Sequence, residues 1–248
     1  MIDRVHIYAL KSIREMTVNC SNLNIFVGTN SSGKSTFLQA ILLAAQNSTD
    51  KMGLNGKLIS LGEFREVRNY YMNHQNIKIE WWKDNENKPA WVEFVENKDN
   101  ETYSISCSEE GEMEIPLTYK TGFHYLSCHR IGANDIYAKN MMDDTDFGID
   151  GEYSLAYLLK NEGKPLADKL SIKNEGLTDS FLDQVNYWLE YIIGMTLSIR
   201  DLKKTNYLQV KYNNNLANMS SDALFARPVN VGSGVSYLFC IIHIGKMN

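Results

Sequence analysis

Apolar and polar residues alternate with period two over "RVHIYAL" and again over "EMTVNC", while "LNIFVG" is a short unbroken apolar run that stops at Gly28. The alternations predict two strands, and the run predicts a strand buried on both faces. From Lys34 the period changes. Phe37, Leu38, Ile41, Leu42 and Ala45 recur at helical spacing, so one apolar stripe of a helix faces a sheet. Further on, "NIKIEWW", "AWVEFVE", "TYSISCS" and "EMEIPLTY" are separated by polar turns, which predicts an antiparallel meander between residues 77 and 119. "FHYLSCH" reads as a buried core strand, followed by a long polar loop that runs to residue 152. "EYSLAYLLKN" and "LTDSFLDQVNYWLEYIIG" predict helices, the second capped by Thr178 and ended by Gly194. "MTLSIRDL" and "NYLQVKYN" alternate like a hairpin, and "PVNVGSGVSYLFCIIHIGKMN" closes the chain.

Composition narrows the class without naming it. The chain has 248 residues, 44% of them apolar and 22% charged, which is ordinary globular usage. A formal charge of −5 repels polyanions, so nucleic-acid binding would need a local basic patch, and the nearest, Lys203-Lys204, reads as a solvated turn. Cys20, Cys107, Cys128 and Cys240 form no Cys-x-x-Cys pair, and no signal-like segment opens the chain; a reduced, cytoplasmic protein is expected. The longest apolar runs fall short of a membrane span. His124, Cys128 and His129 lack a second pair that would complete a tetrahedral metal set. Trp81, Trp82 and Trp91 read as the packed face of a sheet.

One motif carries chemistry. Gly28-x-x-x-x-Gly33-Lys34-Ser35 is a complete phosphate-binding loop, set between a predicted strand and a predicted helix as that loop requires. Glycines let the backbone curl so that Ser31, Ser32 and their neighbours turn N–H groups inward, and the helix adds its positive end. Lys34 is expected on the β- and γ-phosphates, the Ser35 hydroxyl on Mg²⁺, and Thr36 on the α-phosphate. No Asn-Lys-x-Asp guanine reader is present, since Asn97-Lys98-Asp99 has the wrong spacing, so the expected nucleotide is ATP.

"VHIYALKSIREMTVNCSNLNIFVGTNSSGKSTFLQAILLAAQ" resembles the N-terminal lobe of the ABC-type ATPases related to the SMC, Rad50 and OLD proteins, with Asn30 at the asparagine of their Gly-x-Asn-x-x-Gly-Lys-Ser-Thr loop. "ISLGEFREV", "YLSCHRIGANDIYAKN", "GIDGEYSLAYLL", "FLDQVNYWLEYIIG" and "PVNVGSGVSYLFCII" are similar to one branch of that class, the AAA-family ATPases of bacterial anti-phage systems such as Septu and some retrons. The resemblance implies an α/β fold, a P-loop NTPase of ABC/SMC-like head type with an antiparallel β lobe and a helical subdomain. It implies one domain built from residues 1–49 (strands, P-loop and helix), 50–122 (β-rich lobe), 123–150 (core strand and long loop), 151–194 (helical subdomain) and 195–248 (hairpin and signature-like helix). It also places Gly232, Ser233 and Gly234 at the signature motif, which in the family meets the γ-phosphate of the other subunit. Arg130 opens the long loop, either as a cation for phosphate or a partner subunit, or as a surface arginine paired with Asp135 or Asp143.

The acidic element that such ATPases place at the end of an apolar strand, an Asp for Mg²⁺ and a Glu to activate water, is not found in these 248 residues. Either these residues are the N-terminal portion of a longer ATPase or the chain is a naturally shortened subunit, and two expectations follow. The chain is the ATPase component of a defence complex, controlling an effector such as a nuclease through ATP. Alternatively, it is a shortened, non-catalytic subunit that dimerises or caps another ATPase. By itself it is expected to bind ATP weakly, to turn it over slowly or not at all, and to self-associate through an open sheet edge.

Overall fold

The computed structural model describes residues 2–48, 51–72, 75–83, 86–97, 102–108, 123–129, 131–141, 147–214 and 225–245. They fall into two compact units, Met1–Tyr125 and Leu126–Asn248.

In the first unit the period-two stretches become β1 (Ile2–Leu10), β2 (Ile13–Asn19), β3 (Asn76–Lys83), β4 (Ala90–Glu96) and β5 (Tyr103–Cys107). They form one antiparallel sheet in the order β2-β1-β3-β4-β5, so the N-terminal hairpin and the meander share a single ladder. Val5, Ile7, Ile77, Ile79, Trp81, Val92 and Phe94 line the buried face. Each such side chain contributes about 1.5–3 kcal/mol on burial. The opposite face carries the polar alternates: the Arg4 guanidinium lies 3.9 Å over the Trp82 ring, and His6 sits between Glu80 (2.9 Å) and Glu15 (3.2 Å). The predicted strand "EMEIPLTY" lies outside the described residues.

Helix α1 (Lys34–Asn47) lies against β1 and β4. Its buried face is broader than the predicted stripe and rotated from it: Ala40, Leu43 and Ala44 are buried beside Phe37 and Leu42, whereas Leu38 is exposed. The two alanines let the helix backbone approach the sheet closely, which fixes the rotation. At its end Asn47 donates to Gly53 O (2.9 Å) and accepts from Gly53 N–H (2.7 Å), holding the chain that leads to the short α2 (Phe64–Val67).

The largest departure concerns "LNIFVG". Residues 23–27 form no strand, and Leu23, Ile25 and Val27 are 76%, 74% and 84% exposed. Phe26 packs on the helix that follows, with its ring 4.5 Å from that of Phe37. The composition suits a strand flanked on both edges and covered on both faces, but among the described residues no strand pairs with it.

The second unit holds β6 (Ile136–Ala138), α3 (Ser154–Asn161), α4 (Phe181–Ile193), β7 (Met195–Asp201), β8 (Tyr207–Asn214), β9 (Phe225–Ala226) and α5 (Gly234–Gly245). Its sheet runs β6-β8-β7, with β9 also on β8, and α4 packs on β7 and on α3 and α5. The predicted hairpin is β7–β8, and β6 arises inside the stretch expected to be irregular. "FHYLSCH" is not a core strand: Cys128 and His129 are exposed, and the segment is held by loop bonds such as Ser127 N–H to Ile149 O (2.8 Å). The α4 cap is Ser180, whose Oγ accepts from Asp183 N–H (3.3 Å), because Ser180 is the extended residue next to the helix; Thr178 instead accepts from Ser180 N–H. Among the described residues no helix is long and apolar enough to cross a membrane, and no three His, Cys, Asp or Glu gather as a metal site. None of the four cysteines forms a disulfide.

Two buried polar groups give measurable consequences. Gln184 on α4 accepts from Ile172 N–H (2.8 Å) and donates to Ile172 O (3.0 Å) and Thr178 O (2.9 Å). Gln184→Leu leaves those groups without their partner and lowers stability by about 2–4 kcal/mol, read as a shift of the urea midpoint. Tyr212 is buried with its hydroxyl 3.4 Å from Ser236 Oγ, and burial pushes the phenol up to about 12. A group with a raised folded pKa stabilises fully below its unfolded value and loses that contribution as pH climbs through the folded one. Stability therefore falls by about 2–3 kcal/mol between roughly pH 10 and pH 12, and Tyr212→Phe flattens that part of the denaturation profile.

Candidate nucleotide site

The P-loop motif folds into a tight turn that delivers the chain to α1. Gly28 (φ 152°) and Gly33 (φ 94°) take positive φ, as does Ser31 (φ 62°). At Gly28 a Cβ would stand 2.9 Å from Ser32 Oγ, so a side chain there would collide with the loop it opens. Ser31 holds a backbone conformation that a non-glycine residue occupies at a cost, as happens where a loop is shaped for a ligand. Helix α1 starts at Lys34 with no side-chain cap and no acidic residue in its first turn, leaving its first N–H groups and positive end open to an anion.

Lys34 reaches back across the loop. Its ammonium donates to Thr29 O (2.6 Å), Gly28 O (2.9 Å) and Ser32 Oγ (3.4 Å), closing the loop into a ring around one charge. Ser35 is exposed and Thr36 buried, so Ser35 is the hydroxyl available to a metal ion and Thr36 the one fixed by packing. Asn30 is exposed at the loop's tip.

The cavity in front of this loop, about 230 Å³, is lined by Ser31, Ser32, Gly33, Lys34, Ser35 and Thr36, and also by Lys11 and Ser12. The last two come from the β1–β2 turn and were not singled out by any motif. Ser12 Oγ lies 3.5 Å from where a Cβ on Gly33 would stand. Lys11 takes φ 48° in a two-residue hairpin turn, a position where Gly, Asn or Asp is usual. That unusual residue at a turn was the available sequence signal. The Lys11 ammonium donates to Gln39 Oε1 on α1 (2.9 Å), and burial pushes its pKa down from the usual lysine range. An incoming phosphate would offset that loss of hydration.

The cavity is therefore lined by two lysines, four serines, one threonine and the glycine that precedes α1, with no carboxylate among its lining residues. This donor set fits a polyphosphate, with Ser35 placed to share Mg²⁺ with it. Glu80 and Glu93 lie elsewhere: Glu80 is bound by His6 and Lys78 (2.7 Å), which together hold its pKa below the usual range against burial, and Glu93 accepts from Asn76 (2.7 Å).

The other expected site residues sit in the second unit. Gly232, Ser233 and Gly234 are exposed at the start of α5, where Tyr237 N–H donates to Ser233 O (3.2 Å). Arg130 and Asp143 lie outside the described residues. Asp135, one of the partners considered for Arg130, is bound by Arg227 (Nε to Oδ2, 2.7 Å), and this guanidinium holds the carboxyl below the usual range.

Comparison with known proteins gives the chain a family. Residues 1–226 match the family described as "AAA ATPase domain". A 79-residue stretch, 32% of the chain, is 30% identical to the DNA replication and repair protein RecF of Halothermothrix orenii and spans 21% of that protein. Two solved structures of the recombination mediator protein RecF in the RecFOR pathway cover 99% of the chain. One, with ATP, has 11% identity and a TM-score of 0.42 over 79% of its own length; the other, with ATPrS, has 12% and 0.37 over 80%. The family match covers most of the sequence and includes the P-loop: the chain belongs to the AAA ATPase domain family.

Proposed function

We propose that this chain is the ATP-binding component of a defence-type ATPase, in which occupancy of the Lys11/P-loop cavity controls a partner effector. The observation that carries the nucleotide part is the cavity itself: two lysines, four serines and a threonine line it at the open start of α1. ATP would lie with its phosphates on the loop N–H groups and Lys34, with Lys11 as a second cation from the β1–β2 turn. Ser35 is the residue that would hold Mg²⁺, which would supply charge neutralisation to the phosphates when bound.

The same cavity favours holding over hydrolysis by these residues alone, because among its lining residues there is no carboxylate to take a proton from water. This supports a second reading, a nucleotide-sensing or scaffolding subunit that caps another ATPase. Gly232 and Gly234 fit either. A Cβ at either would meet nothing within 4 Å, so the packing around them does not require glycine. Bare backbone there suits close approach by something outside the unit, such as the γ-phosphate held by a neighbouring subunit. Arg130 is proposed for the same interface.

Control of an effector such as a nuclease in an anti-phage system rests on the resemblance of the five segments between residues 59 and 242 to ATPases of that branch. Direct action on DNA, the role that the RecF name brings, is disfavoured by the formal charge of −5 and the lack of a basic run. Self-association is supported by the exposed Leu23, Ile25 and Val27, an apolar run with no strand beside it among the described residues.

Calorimetric titration with a slowly hydrolysed ATP analogue and Mg²⁺ checks the site. Lys34→Ala is expected to weaken binding by about a hundredfold or more and Lys11→Ala by about tenfold, while Ser35→Ala removes the gain that Mg²⁺ brings. Wild-type affinity in Lys34→Ala would remove the nucleotide function. In sedimentation, the protein is expected as a dimer or larger, with Ile25→Lys shifting it toward monomer; a strictly monomeric wild type with and without the analogue would exclude self-association.

A further inference from the structure

Asn69 belongs to no motif, yet it is 1% exposed and directs its N–H and both polar atoms of its side chain at two stretches of backbone. Its N–H donates to Ala9 O (2.8 Å) and its Nδ2 to Lys11 O (2.7 Å). Its Oδ1 accepts from Tyr71 N–H (3.0 Å) and Met72 N–H (3.2 Å), which fixes which end of the amide faces which way. Two residues earlier, Val67 O accepts from Lys11 N–H (2.7 Å). The strand end that carries Lys11 is thus gripped at three backbone groups between residues 9 and 11.

That grip falls where the backbone is least comfortable. Ala9 (φ 57°) and Lys11 (φ 48°) both hold left-handed conformations, and each flanks Leu10 at the end of β1. A non-glycine residue stays at positive φ only where its surroundings over-determine it. Staple and strain coincide on a residue that lines the P-loop cavity and whose ammonium is held by Gln39 of α1.

Building on the nucleotide-binding function proposed above, we infer that Asn69 is a positioning residue of the nucleotide site. By holding the Lys11 carbonyl and the Ala9 carbonyl, it keeps the β1–β2 turn in the one conformation that presents the Lys11 ammonium to phosphate. Without the amide, the turn relaxes toward backbone conformations that alanine and lysine prefer, and the ammonium leaves the cavity. A purely structural asparagine, one that only ties residues 67–72 to the sheet, would lack this dependence on Lys11.

A double-mutant cycle separates the two roles. Wild type, Lys11→Ala, Asn69→Ala and the double variant are titrated by calorimetry with the Mg²⁺-bound, slowly hydrolysed ATP analogue. Asn69→Ala is expected to weaken binding by about tenfold, as Lys11→Ala does, and the double variant to bind no more weakly than Lys11→Ala alone. An equal loss on Asn69→Ala whether or not Lys11 is present would overturn the inference, as would unchanged affinity in Asn69→Ala. Circular-dichroism melting of each variant precedes titration. If Asn69→Ala does not fold, the neutral Asn69→Ser takes its place in the cycle, since a serine hydroxyl at that position can accept from the backbone N–H two or three residues on but is too short to reach the Lys11 carbonyl. Lys34→Ala is run alongside: wild-type affinity there refutes the nucleotide site itself, whereas loss there with additive Asn69 and Lys11 effects refutes only the positioning role.

Discussion

The ladder that joins β1 to β3 is the contact on which the first unit depends. Pairs such as Val5 with Trp81 and Ile7 with Ile79 bring the chain's first residues beside residues more than 70 positions later, and they make β1 an interior strand. Being interior, β1 presents its buried alternates to α1, and its end is fixed by bonds from the 67–69 segment. The P-loop hangs between these two fixed bodies, after β2 and before α1. A loop that must curl through three positive φ values has its ends set by a sheet and a helix whose burial far outweighs the local strain.

Two cations then converge on the same space for different reasons. Lys34 arrives by sequence adjacency, one residue beyond Gly33, and closes the loop on its own carbonyls. Lys11 arrives by topology, on a hairpin turn that the sheet brings beside the loop, and Gln39 on α1 steadies its ammonium. Burial depresses the Lys11 ammonium, and an anion bound beside it would favour its charged form.

Hydrophobic patterning was legible where one face is buried and one is wet. Strand β4 alternates buried and half-buried positions throughout and β3 does so as far as Trp82, and α4 begins and ends within two residues of its expected span. It misled where an apolar run lacks its neighbours. Residues 23–27 have the composition of a doubly covered strand but stand exposed, because burial requires a second surface and no local pattern supplies one. "FHYLSCH" failed for a related reason: its apolar residues carry no record of whether an adjacent strand exists to take their backbone groups.

From residues alone came the phosphate loop, with Lys34, Ser35 and the α1 start, because its chemistry depends on spacing within eight positions. The helix α4 with its Gly194 end and the β7–β8 hairpin were equally local and equally readable. Tertiary structure alone placed Lys11 and Ser12 at the loop, chose Ser180 over Thr178 as the α4 cap, and set Asn69 against the left-handed turn. Those choices depend on which backbone groups meet across dozens of residues, and a linear pattern encodes the wish to be buried or bonded but not the partner that satisfies it.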